Sequence, residues 1–70
     1  MMVGKVGRIL AGKDAGWYVK ILDDSENTGG YLILTARDPA FRDGFDDWVK
    51  NEGDLAGYIQ ESGWLIEWTP

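Results

Sequence analysis

Neither a cysteine nor a histidine occurs in this chain of 70 residues, and that absence restricts its folding options more than any motif it contains. A domain of this length buries only about 60 % of the surface its unfolded chain exposes. Small domains therefore commonly rely on disulfides, a structural metal or oligomerisation. Here the disulfides and the usual zinc ligands are ruled out, so packing has to close the core. Four Trp, three Tyr and two Phe supply the means, because each large ring can bury roughly 150–250 Å². One domain spanning 1–70 is expected, with no cofactor and no metal.

The start, MMVGKVGRIL, has no apolar leader core. No window approaches the roughly 18 consecutive apolar residues of a membrane span. The missing cysteine fits a reducing compartment. A cytoplasmic protein without a membrane partner is the expectation.

A formal net charge of −5 conceals an uneven distribution. Residues 1–20 hold Lys5, Arg8, Lys13 and Lys20 against Asp14 alone, whereas residues 21–70 hold eleven acids against Arg37, Arg42 and Lys50. An acidic body repels phosphate backbones, which disfavours duplex nucleic acid and favours a basic protein as partner.

VGKVGRIL suits a glycine-rich, bulged strand over 3–10. In WYVKIL, Trp17, Val19 and Ile21 alternate with Tyr18, Lys20 and Leu22, a second strand. The polar loop DDSENTGG then leads into a third, YLILTA, with Tyr31, Ile33 and Thr35 on one face and Leu32, Leu34 and Ala36 on the other. Pro39 interrupts the sheet. FDDWV over 45–49 is compatible with a helix, by the spacing of Phe45, Trp48 and Val49, or with a short strand. The strand is preferred because Asn51 is placed to cap a following helix, with Asp54 at the capping-box position. That helix runs over about 52–62, buries Leu55, Tyr58, Ile59 and Ser62, and stops at Gly63. WLIEW closes the chain as a strand. The fold class is therefore α+β, an antiparallel sheet of four or five strands with one principal helix on one face, in the order β-β-β-(β)-α-β. One helix cannot cover all the aromatic rings, so some of Trp17, Tyr18, Tyr31, Trp48 and Trp68 should lie on the second sheet face or at the rim.

Catalytic motifs fail on chemistry. Gly7 to Asp14, GRILAGKD, approaches the phosphate-loop pattern, but Asp14 replaces the magnesium-binding hydroxyl and would repel phosphate. DDSENTG offers oxygens at Asp23, Ser25 and Asn27, yet Thr28 and Leu34 stand where a calcium loop needs Gly and a bidentate Glu. Ser25 and Ser62 have no histidine to activate them. Asp46 and Asp47, as strand neighbours, point apart. No enzymatic activity is expected.

The sequence therefore points to a contact surface: Asp43, Asp46, Asp47, Glu52 and Asp54 surround Phe45 and Trp48, giving aromatic anchors within a ring of charge. Two other readings stand beside it. In one, Lys5, Arg8, Lys13 and Lys20 bind RNA or another single-stranded nucleic acid, with Trp17 and Tyr18 stacking on bases. In the other, the chain is the structural subunit of a homo-oligomer.

Through DDSENTGGYLIL, GFDDWV and ESGWLIEW the chain resembles small, acidic, tryptophan-rich bacterial proteins of unknown function, some of them immunity partners of polymorphic toxins. The likeness lies in ordering and composition from about Gly16 to Trp68, so no site residue transfers with it. It implies a cytoplasmic inhibitor of a toxin, often a basic nuclease.

Overall fold

The computed structural model describes residues 3–69. Its elements are β1 (Val6–Ala11), β2 (Tyr18–Asp24), β3 (Gly30–Ala36), β4 (Gly44–Val49), α1 (Glu52–Ser62) and β5 (Leu65–Trp68). The strands form one sheet in the order β4-β3-β2-β1-β5, with every neighbouring pair antiparallel. The class is α+β, with residues 45–49 as a strand. β4 and β5 are the two edges, so α1 carries the chain from one edge to the other across a single face.

Strand register sets what that face contains. Val19 lies opposite Gly7 and Thr35, Ile21 opposite Ile33, and Ile9 opposite Ile66. Side chains alternate between faces along a strand, which brings Ile9, Val19, Ile21 and Ile33 together beneath Leu55 of α1 as the fully buried core. Each such side chain contributes roughly 1.5–3 kcal/mol by leaving water. Trp17, Tyr31, Tyr58, Trp64, Ile66 and Trp68 pack around this centre, half-buried. The opposite face presents Tyr18, Leu22, Leu32, Leu34 and Trp48, and among the described residues no second layer of helix or strand covers it. The aromatic residues are thus divided between the core rim and the open face.

Local chemistry fixes both ends of α1. Asn51 has extended backbone angles, and its Oδ1 accepts from the Asp54 N–H at 2.8 Å, a cap worth about 1 kcal/mol. The Asp54 carboxylate turns to Lys50 Nζ, 3.9 Å away, where a capping box would have it return to the cap backbone. At the other end Gly63 adopts φ 67° and donates to Gln60 O, while the Trp64 N–H reaches Ile59 O. This is the paired-bond helix stop that favours glycine. The Trp64 ring then meets Tyr58 edge-on at 5.7 Å, sealing the turn.

β1 begins at Val6, later than the sequence pattern places it. Gly4 has φ 80° and its N–H donates to Ile21 O, so the entry bends before the ladder starts. The bulge falls at Leu10, skipped between the Ile9–Ile66 and Ala11–Leu65 pairs.

Candidate functional site

The acidic-aromatic stretch becomes an edge strand. Along β4 only Val49 is partly buried; Phe45 is 69 % exposed and Trp48 45 %. Register against β3 pairs Thr35 with Phe45, Ile33 with Asp47, Leu34 with Asp46 and Leu32 with Trp48. Phe45 and Asp47 therefore lie on the helix side, and Asp46 and Trp48 on the open side. The candidate residues form a two-sided blade. Asp43 stands just before it, and Glu52 and Asp54 lie in the first turn of α1.

Two contacts orient Trp48. Its Nε1 donates to Thr28 Oγ1 at 2.8 Å, across the β2–β3 loop. Its indole lies over Gly30, where a Cβ would come within 2.7 Å of Nε1. The ring is thereby held in place while almost half of its surface remains in water. The Trp48 N–H is taken by Asp47 Oδ1 at 3.0 Å, so one of the main-chain donors of β4 is capped by an acid.

The acids differ in availability. Asp43, Asp46 and Asp47 form no ion pair among the described residues. Glu52 Oε1 accepts from the Tyr31 hydroxyl at 3.1 Å, and this bond holds the Tyr31 pKa above its ordinary value. Asp54 faces Lys50. The free charge therefore concentrates on β4 and its entry.

The remaining sequence candidates scatter. Arg8 stacks over Tyr18 at 5.7 Å and, with Lys20, belongs to the open face, whereas Lys13 lies in the β1–β2 turn. The cations thus form no continuous stripe. GRILAGKD is largely strand β1, followed by a turn in which Asp14 has φ 59°. In the DDSENTG loop the oxygens serve the turn itself. Asp23 Oδ1 accepts from the Ser25 N–H at 3.0 Å, which lowers the Asp23 pKa, and Asp24 Oδ1 accepts from Asn27 Nδ2. Among the described residues no three acids gather as a metal-holding set.

Two of the surface hollows bear on the site. The larger, about 520 Å³, lies between α1 and β5 and is lined by Ala56, Ile59, Gln60, Gly63, Trp64, Ile66 and Trp68, with no ionisable side chain. The smaller, about 290 Å³, opens on the helix side of β4. There Asp14, Trp17, Thr35 and Tyr58, none of which the sequence pattern groups with the acidic stretch, join Phe45 and Asp47. Trp17 stacks on Phe45 with centroids 5.9 Å apart and planes at 25°. Burial raises the Tyr58 pKa, and the negative charges of Asp47 and Asp14 raise it further.

No protein-family model matches the chain, and neither a curated protein nor a solved structure shows significant similarity to it.

Proposed function

We propose that this chain is a non-catalytic protein-binding module whose β4 edge engages a basic protein. The observation that carries this reading is the state of β4: an exposed edge strand whose Asp46 and Asp47, with Asp43 just before it, meet no cation in an ion pair among the described residues, and whose Phe45 and Trp48 are held partly in water. Exposed strand edges invite pairing with another chain. Copies of this protein pairing antiparallel through β4 would set carboxylate against carboxylate, which is unfavourable. A cationic partner removes that repulsion and gains long-range attraction. The resemblance to immunity proteins makes a basic nuclease toxin the first partner to test, with the protein acting as its inhibitor in the cytoplasm.

The two kinds of residue should fail differently. Asp46→Lys combined with Asp47→Lys should lower the association rate and flatten its salt dependence, because steering acts on encounter. Trp48→Ala should mainly raise the dissociation rate, because a desolvated ring holds the formed complex. Surface plasmon resonance on a captured basic partner, using variants checked for folding, reads both constants. Unchanged rates for both variants would place the interface elsewhere.

A further inference from the structure

The small hollow on the helix side of β4 combines groups that the β1–β2 loop, β3, β4 and α1 bring together only in the folded chain. Its walls are the stacked rings of Trp17 and Phe45, and its polar lining comes from Asp14, Asp47, Thr35 and Tyr58, with Lys13 and Asp46, whose strand position faces the open side, at its border. Thr35 is 9 % exposed, yet its hydroxyl makes no hydrogen bond to any described residue. No sealed polar side-chain atom lacks a partner among the described residues, so that hydroxyl keeps an opening, and Thr35 lines the hollow. Two carboxylates, two hydroxyls and an aromatic wall form an acceptor-rich recess.

The chemistry selects an organic cation. No three acids converge as a metal-holding set among the described residues, which disfavours a chelated metal ion. At about 290 Å³ the space is at the lower limit of the roughly 300–1,000 Å³ typical of small-molecule pockets. A lysine or arginine side chain suits it, with the methylene stem along the rings and the charged head at the carboxylates. Lys13 also borders the recess, and Arg37 stacks over Trp17 at 5.2 Å, so the same ring already accepts a cation from within the chain.

We propose that this recess is a socket for one basic side chain of the protein that β4 engages, an inference that rests on the protein-binding reading above. Nuclear magnetic resonance titration of the intact protein with N-acetyl-lysine amide, N-acetyl-arginine amide and the neutral N-acetyl-norleucine amide tests it without the partner. Both cationic probes should shift the Thr35 amide and the Trp17 indole with dissociation constants on the order of 1–10 mM, and the neutral probe should not. Asp14→Asn and Asp47→Asn preserve shape and should each weaken the cationic probes about fivefold. Equal shifts from the neutral probe, or full affinity in both variants, would overturn the socket. The two ideas fail separately. Charge reversal on β4 that slows the captured partner, with no probe in the recess, would remove the socket and keep the interface. An occupied recess with partner rates insensitive to β4 would remove the reading on which the socket rests.

Discussion

Leu55→Ala should lower the unfolding free energy by about 2–5 kcal/mol, the usual range when a buried leucine is truncated and its site cannot collapse. Leu55 is the only helix residue fully buried, and it closes the face formed by Ile9, Val19, Ile21 and Ile33. A chain of 70 residues has a total stability of roughly 4–10 kcal/mol at the usual value per residue. This one substitution can therefore remove about half of the stability, with no disulfide to compensate. Urea denaturation followed by tryptophan fluorescence should show the midpoint falling while the slope stays unchanged. A loss below about 1 kcal/mol would mean that α1 is not the lid of the core.

Gly30→Ala should cost about 2–3 kcal/mol, within the range for forcing a group into occupied space. A Cβ at Gly30 would meet the Val49 carbonyl and lie 2.7 Å from Trp48 Nε1. Both contacts belong to β4, whose sheet pairing is with β3 alone. The strand or the indole has to move, and either movement breaks the Trp48–Thr28 bond. The indole N–H resonance of Trp48 should therefore shift along with the loss of stability. Gly57→Ala provides the opposite sign in the same assay. Its Cβ would meet nothing within 4 Å, and alanine gains about 0.5–1 kcal/mol over glycine inside a helix. If the two substitutions had equal effects, the close approach of Trp48 to Gly30 would not be a real constraint.

The parts of the fold that were legible in sequence are those governed by short-range rules. Alternation in WYVKIL and YLILTA locates β2 and β3, because one face of each must be buried. Asn51 and Gly63 delimit α1 because a cap oxygen and a left-handed residue are needed at those ends. β4 was ambiguous for a physical reason: with both faces largely exposed, its side chains carry no burial period, and only pairing with β3 decides its state. Asp54 stands at the capping-box position and gives its N–H to Asn51 Oδ1, while its carboxylate lies toward Lys50. At the site, the acids around Trp48 could be found by composition. Glu52 could not be separated from the free acids, because its bond to Tyr31 spans 21 positions. The recess was not legible for the same reason: Asp14, Trp17, Thr35 and Tyr58 become neighbours only through the register of the folded chain.

The central claim is that the β4 edge is the contact surface. Hydrogen–deuterium exchange on the protein, free and bound to a captured basic partner, tests it without any substitution. Partner binding should slow exchange of amides in 44–49 at least about tenfold, since edge N–H groups exposed to water become covered, while amides lining the α1–β5 hollow keep their free rates. Protection of the α1–β5 hollow or of the open face around Tyr18 and Leu34, with 44–49 unchanged, would contradict the account.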